Sequence, residues 1–264
     1  MGQIKTLTAL VLTVVFVQAC IMEDRSNCPA YLTLDFSETP EKVSEIHLLI
    51  EDSKGYLFKD TLPANEFGMP YEIPVRRGEL HIAAFGNVSR MMYDYGYRIH
   101  EGEDADSLYT CFISMACNDD LSFQHIIPVK NYIGLYIRII GDISDSLGIT
   151  VESTSAGYGL SGNIIEGIFR HSPNTTHLPS SEEAYFEFFS RVLRQKDESL
   201  SVTVRGTSGQ ILARIPLSAF LYDAGINMND DALKDLYITL DIALSSIILS
   251  LEGWNSTNHT EIQF

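Results

Sequence analysis

From Ala30 onward the chain consists of short runs in which apolar and polar residues alternate, separated by turn residues such as Arg77 and Gly78. A period of two places successive side chains on opposite faces of an extended strand, so this pattern predicts strands with one buried face. In the first half the predicted strands are residues 31–36, 45–50, 56–58, 71–75, 79–85, 120–128 and 133–140. A short helix is expected within residues 105–116.

The same pattern resumes after a polar break at residues 141–148, where we place a domain boundary. The predicted strands of this second half are residues 149–151, 185–193, 200–205, 210–216, 236–244, 247–254 and 260–264. Brief helices are expected at residues 219–224 and 230–234. Short strands at a spacing of roughly 8–12 residues, in two groups, predict an all-β fold of two antiparallel β-sandwich domains with short helices in loops.

Composition supports a packed protein and excludes one class of function. Of the 264 residues, 45% are apolar and 20% are charged, which is typical of a globular chain. The 18 basic and 35 acidic residues give a net charge of −17. Because such a surface repels phosphate groups, nucleic-acid binding is excluded.

The N-terminus has the pattern of a secretory signal peptide. Lys5 is the only charged residue before Glu23, and residues 6–19 form an almost unbroken apolar stretch. This stretch is shorter than the ~20 apolar residues that a membrane-spanning helix needs. Residues 17–20, with the sequence VQAC, resemble the lipobox of bacterial lipoproteins, in which the cysteine receives lipid.

We therefore expect residues 1–19 to be a lipoprotein signal peptide and residues 20–29 to be a linker lipidated at Cys20. An acidic protein is repelled by an anionic membrane, so covalently attached acyl chains would supply the anchor. Plain secretion and an uncleaved signal anchor are the alternatives. Glu23 and Asp24 resemble the surface-export signal of Bacteroidota lipoproteins, and a solvated acidic linker is the other interpretation.

Three cysteines remain once Cys20 is assigned to lipid: Cys28, Cys111 and Cys117. An odd number in an exported protein is compatible with one disulfide and a free thiol, or with no disulfide. Within one extended strand Cys111 and Cys117 would lie about 20 Å apart, so a bond between them requires a turn or a helix. A bond from Cys28 to either of them, and buried free thiols, are the alternatives.

No motif for catalysis, metal binding or cofactor binding is found. The sequence lacks a G-x-S-x-G elbow, a Walker A loop and an H-E-x-x-H pair, and its histidines lack metal-ligand spacing. We predict no enzyme activity, no catalytic residue, no cofactor and no metal site. The acidic segment formed by Glu101, Glu103, Asp104 and Asp106 is interpreted as a solvated loop, with a Ca²⁺ site as the alternative.

Aromatic residues offer one candidate binding surface. Tyr93, Tyr95 and Tyr97 lie close together in the sequence, and Trp254 is the single tryptophan. These tyrosines are expected to pack in a core or at an edge, and an exposed platform that stacks on sugar rings is the alternative.

Residues 20–29, with the sequence CIMEDRSNCP, are followed at once by a predicted strand, and this arrangement resembles the start of the fimbrial anchoring-subunit family of Bacteroidales. Members of that family open with a lipidated cysteine, an acidic pair and Ser-x-Cys-Pro. Looser similarity is found at residues 75–87, 210–217, 233–240 and 247–255. The resemblance implies a lipoprotein tethered to the outer membrane at the base of a type V pilus.

The resemblance also implies two transthyretin-like β-sandwiches, which we place at residues 30–140 and 141–264. The implied partner is a fimbrial stalk subunit joined by strand addition, in which an extended strand of one subunit enters a groove of the next. Residues 247–264 are a candidate for the joining strand.

An anchor must keep its own first strand, whereas stalk subunits of this class lose a long N-terminal segment by cleavage after arginine. Arg25 precedes the first strand, and Arg76 and Arg77 lie inside the domain, which favours an anchor over a stalk subunit. A tip subunit and a surface glycan-binding lipoprotein are the alternatives. The presence of a single tryptophan argues against the glycan-binding alternative.

Overall fold

The computed structural model describes residues 28–91, 96–141, 147–180, 184–223, 226–228, 233–243, 246–251, 253–254 and 259–263. In the first half the strands are β1 (Ala30–Asp35), β2 (Glu45–Asp52), β3 (Leu57–Pro63), β4 (Tyr71–Val75), β5 (Gly78–Gly86), β6 (Tyr97–Arg98), β7 (Tyr109–Cys117), β8 (Leu121–His125) and β9 (Val129–Lys130).

The described residues of the second half form further strands and one short α-helix. They are β10 (Tyr132–Ile140), β11 (Gly148–Tyr158), β12 (Ile164–His171), β13 (Thr175–His177), β14 (Tyr185–Leu193), β15 (Ser201–Arg205), β16 (Ile211–Ile215), α1 (Leu217–Asp223), β17 (Leu236–Asp241), β18 (Ser246–Ser250) and β19 (His259–Gln263). Among the described residues, no helix has the length and apolar character needed to cross a membrane.

The first sandwich packs the sheet β4-β1-β8 against the sheet β3-β2-β5-β7-β9. Alternate side chains of the strands fill the space between the two sheets. Leu48 and Ile50 of β2 and Leu80 and Ile82 of β5 are all buried there. The all-β sandwich fold predicted from the alternating pattern is confirmed.

Strand β1 lies in the centre of its three-stranded sheet. It pairs antiparallel with β4, with Leu32 opposite Ile73, and parallel with β8, with Tyr31 opposite Leu121. Its core-facing side chains are completely buried, and they are Ala30, Leu32 and Leu34, continued by Phe36 just after the strand. The first strand of the chain is therefore an integral part of the first sandwich.

The second sandwich packs the sheet β13-β14-β10-β17-β18-β19 against the sheet β12-β11-β15-β16. Ile137 and Ile139 of β10 meet Val151 of β11 and Val202 of β15 in its core. The helix α1 adds Leu217 and other apolar side chains to the same cluster.

Strand β10 belongs to this second sandwich, although the expected boundary at residues 140 and 141 placed it with the first group of strands. It pairs antiparallel with β14 and parallel with β17 along its length. The polar break at residues 141–148 connects β10 to β11 within one sandwich. The chain passes from the first sandwich to the second at Asn131, which is buried and lies between β9 and β10.

The expected helix within residues 105–116 was a wrong prediction, because this segment contains β7, which pairs with β5 along its whole length. Cys111, Ile113 and Met115 lie against the core of the first sandwich, whereas Phe112 lies against a second apolar cluster on the other face. Because both faces contact apolar groups, the alternation that identifies a strand is lost. The expected helix at residues 230–234 falls largely outside the described residues, and residues 233 and 234 are not helical.

Candidate functional site

The predicted lipidation residue Cys20 and the predicted export residues Glu23 and Asp24 lie outside the described residues. The same is true of Tyr93 and Tyr95. The lipid anchor and the export signal therefore remain predictions from the sequence.

The described cysteines Cys28, Cys111 and Cys117 are free thiols. Cys28 is exposed just before β1, while Cys111 and Cys117 lie six residues apart on the single extended strand β7. An extended strand keeps residues at this separation about 20 Å apart, so these two cannot bond. Burial raises the pKa of the Cys111 thiol, which favours its unreactive protonated form.

The acidic segment that was a candidate for Ca²⁺ joins the two sandwiches instead. Asp104 accepts a hydrogen bond of 2.6 Å from the Arg191 N–H and one of 3.1 Å from the Ser190 hydroxyl. Asp106 accepts hydrogen bonds from the N–H and the hydroxyl of Ser89. Among the described residues, no group of three metal-ligating side chains is close enough to hold an ion.

Ser190, His171 and Asp104 form a cluster with the composition of a catalytic triad but not its geometry. His171 Nδ1 lies 2.9 Å from Ser190 Oγ and 3.2 Å from Asp104 Oδ1, so a single ring nitrogen faces both groups. In a working triad the acid and the serine contact opposite ring nitrogens. Because Ser190 is also completely buried, this cluster is a structural contact.

A second polar network surrounds Asn131, where the chain crosses between the sandwiches. The Asn131 N–H donates to the Leu108 carbonyl at 2.9 Å, and the Asn131 carbonyl accepts from the Arg194 N–H at 3.0 Å. Its Oδ1 accepts from Arg194 Nε at 2.8 Å and from the Tyr158 hydroxyl at 3.3 Å. Burial raises the pKa of Tyr158 to about 12, which keeps its hydroxyl protonated as a donor.

Apolar packing completes this contact between the two sandwiches, which we call the joint. Its buried residues come from both sandwiches and include Leu49, Phe85, Leu108, Tyr158 and Leu193. The strand β6 also pairs with β11 here, and a Cβ on Gly157 would lie 2.2 Å from the Tyr97 carbonyl oxygen. Glycine at this position therefore permits the close approach of the two backbones.

Asp104 gives a testable prediction for the strength of the joint. Burial raises its pKa, but the hydrogen bonds to His171 and to the Arg191 N–H outweigh burial and hold the pKa below its usual value. A lowered pKa in the folded state stabilises folding above the unfolded pKa of about 3.9, and this contribution is lost as the pH falls through the folded pKa. We expect Asp104→Asn to lower the free energy of unfolding by about 1–3 kcal/mol at pH 7.

Urea unfolding of the wild type and Asp104→Asn at pH 7 and below pH 4 checks this prediction. The difference between the two proteins should shrink in acid. Glu103→Gln is the matched control, since Glu103 is exposed in the same loop, and it should have little effect. An equal difference at both pH values would contradict the role given to the Asp104 carboxylate.

Tyr97 and Trp254, the described members of the predicted aromatic surface, do not form a free stacking platform. Tyr97 is buried, which agrees with the expectation of core packing. Trp254 meets the Tyr237 ring edge-on at 5.3 Å, and the Arg138 guanidinium lies 4.3 Å from the Trp254 ring centroid. Tyr237 in turn stacks on Tyr136 at 4.7 Å. These rings pack against one another and against the Arg138 guanidinium.

The candidate joining segment, residues 247–264, contains two strands of the second sandwich. Strand β18 pairs with β17 and with β19, with Ile247 opposite Leu240 on one side and opposite Ile262 on the other. Strand β19 lies at the edge of the sheet.

Comparisons with solved structures find the same fold in several bacterial proteins. The fimbrial anchor protein Mfa2 from Porphyromonas gingivalis aligns with a TM-score of 0.67 and 12% identity over 86% of this chain and 98% of its own. A structure described as "putative polysaccharide binding proteins" from Bacteroides thetaiotaomicron aligns with a TM-score of 0.66 and 12% identity over 89% of this chain and 98% of its own.

A "putative adhesin" from Bacteroides ovatus aligns with a TM-score of 0.61 and 12% identity over 86% of this chain and 94% of its own. No protein-family model and no curated protein sequence matches the chain. The expected resemblance to fimbrial anchoring subunits is confirmed at the level of structure, and the chain shares the fold of the fimbrial anchor protein Mfa2 and of these Bacteroides proteins.

Proposed function

We propose that the protein is the base subunit of a fimbrium, which holds the fibre to the outer membrane through a lipid on Cys20 and limits the length of the fibre. The shared fold with the anchor protein Mfa2 supports this proposal, as does the sequence of residues 20–29. Glu23 and Asp24 would direct the lipoprotein to the cell surface. The partner would be a fimbrial stalk subunit.

The observation that carries the proposal is the position of β1 at the centre of its sheet. Strand addition needs a groove with unpaired backbone on its sides. Between β4 and β8 this groove is already occupied by β1. A subunit that fills its own groove accepts no further subunit there, so the fibre ends at that point.

The distribution of arginine fits the retention of β1. No arginine lies between Arg25 and Arg76. Cleavage after Arg25 would therefore leave β1 in place, and cleavage after Arg76 would remove β1 to β4 together. A protease that cuts after arginine cannot open the groove by removing β1 alone.

The polar clusters found here hold segments of the chain together, which supports a structural role over a catalytic one. Asp104, Ser190 and His171 make one such contact, and Asn131 and Arg194 make another. The glycan-binding alternative has weaker support because Tyr97 is buried and the Trp254 ring packs against Arg138.

Deleting the gene in a fimbriated cell tests the proposal. We expect fimbriae to be released into the medium and to become longer, because nothing retains them or ends their growth. Immunoblots of the stalk subunit in medium and cell fractions, with fibre lengths from electron microscopy, measure both effects. Restoring the gene should reverse them. Fimbriae that stay attached at normal length would contradict the proposal, and this is the result expected of a glycan-binding lipoprotein.

A further inference from the structure

The outer edge of β8 is unusually apolar for a free sheet edge. Leu121 is 69% exposed and Phe123 is 55% exposed, and Tyr31 beside them on β1 is 44% exposed. Contiguous exposed apolar residues on a soluble protein mark a contact surface.

The backbone along this edge is open to a further strand. The Tyr31 N–H donates to the Asp120 carbonyl, and the Ile126 N–H donates to the Asp35 carbonyl. This register directs the N–H and C=O groups of the even-numbered residues of β8 toward β1. Those of Leu121, Phe123 and His125 therefore point away from β1, and no described strand pairs with them. The His125 carbonyl accepts a hydrogen bond of 2.9 Å from Gln124 Nε2, so the groups open to a further strand are those of Leu121 and Phe123.

Two other free edges of the first sandwich, those of β4 and β3, carry features that prevent strand addition. On β4 the edge contains Pro74, which lacks an N–H, next to Glu72. On β3 the edge exposes Lys59 and Asp60. Proline and charged residues are the usual protection of an edge strand against pairing. Strand β8, with the sequence LSFQH, has neither proline nor lysine nor a carboxylate.

We propose that the outer edge of β8 binds an extended strand of the neighbouring fimbrial stalk subunit, one that carries apolar side chains at alternate positions. This inference rests on the proposed function and names the surface that would serve it. The outward N–H and C=O groups of Leu121 and Phe123 select an extended backbone, and the apolar side chains of these two residues select apolar side chains spaced by two.

Charge argues that the bound strand comes from another protein and not from a second copy of this chain. Each copy carries a net charge of −17, so two copies repel one another. Asp119 lies exposed at the start of the edge. A strand with a basic residue near that end would complement the edge, and a copy of this acidic chain would not.

Photocrosslinking in fimbriated cells tests the occupant directly. The probe is p-benzoylphenylalanine in place of Phe123, and the control is the same group in place of Ile168, which is 80% exposed on β12. We expect irradiation to join position 123 to the stalk subunit, at a segment whose apolar residues alternate, and position 168 to give far less of this product. Mass spectrometry identifies the crosslinked peptide.

Several results would overturn the proposal. They are equal yields of the stalk product at the two positions, no product at position 123, or a product there with membrane lipid, with residues 20–27 of the same chain, or with a second copy of the chain. Each of these assigns the edge to a different occupant or to none.

Substitution at Phe123 separates backbone pairing from apolar contact. Phe123→Pro removes an N–H that points away from β1, so the fold should persist, while binding of purified fimbriae to the immobilised protein should weaken about tenfold to a hundredfold. Phe123→Leu keeps the N–H and an apolar side chain and should bind nearly as the wild type. Thermal unfolding checks that each variant is folded, and Phe123→Glu replaces Phe123→Pro if the latter does not fold.

The outcomes distinguish a failure of this inference from a failure of the proposed function. If deleting the gene releases the fimbriae but folded Phe123→Pro and Phe123→Glu retain them fully, the β8 edge is not the binding surface and the base-subunit role stands. If the deletion leaves the fimbriae attached, both proposals are overturned.

Discussion

Replacing Cys20 by alanine is expected to move the protein from the membrane fraction to the soluble fraction and to shed fimbriae into the medium. Each acyl CH₂ that enters the bilayer contributes about 0.8 kcal/mol, so several acyl chains anchor a protein stably and none leaves it free. The net charge of −17 offers no electrostatic attachment to replace them. The body of the protein should remain folded, because Cys20 precedes the first strand.

Fractionation, labelling with a radioactive fatty acid and immunoblots of shed fimbriae measure this result. Cys28→Ala is the matched control, since Cys28 is an exposed free thiol only eight residues further along the chain. It should leave the fractionation and the label unchanged. A Cys20→Ala protein that stays in the membrane fraction and still carries the label would contradict lipidation at Cys20.

The second large effect is expected in β1, at Leu32. This side chain is completely buried in the core of the first sandwich. Leu32→Asn would leave a cavity and a buried amide without partners, which should lower the free energy of unfolding by about 4 kcal/mol or more. Retention of fimbriae should fall with it, because β1 connects the proposed lipid anchor at Cys20 to the rest of the fold.

Thr33→Asn is the control for this prediction, because Thr33 lies next to Leu32 on the opposite, partly exposed face of β1. Thr33→Asn should lower the free energy of unfolding by no more than about 1 kcal/mol, which is the range that the strand propensities of the amino acids span. Urea unfolding of the two variants and the wild type gives the comparison. A similar decrease in the free energy of unfolding in both variants would mean that the buried face of β1 does not stabilise the first sandwich.

Alternation identified most strands from the sequence alone. The predicted strands at residues 71–75 and 185–193 coincide with β4 and β14, where one face is buried and the other is solvated. Strand β12 was missed because it is paired to β11 through register shifts near Ser153 and Ser155, which interrupt the alternation. The sequence of β7 also lacks alternation, because apolar groups contact both of its faces, and this segment was therefore predicted to contain a helix.

The polar contacts of the joint could not be predicted, because they bring together residues that are far apart in the chain. Asp104 and Arg191 are 87 residues apart, and Asn131 and Arg194 are 63 residues apart. Each residue by itself looks like an ordinary polar loop or strand residue. The open edge of β8 was also hidden, since its pattern predicts one buried face but does not show that the apolar Leu121 and Phe123 lie on the exposed one.

The central place of β1 has a mechanical consequence for a protein tethered by its N-terminus. Tension from a fibre would enter the fold at Ala30, the first residue of β1, and pull β1 along its own axis. Five residue pairs with β4 and five with β8 would then bear the load together in shear, so the strand cannot peel away one bond at a time. Resistance to flow would be set by how slowly this doubly held strand slides out.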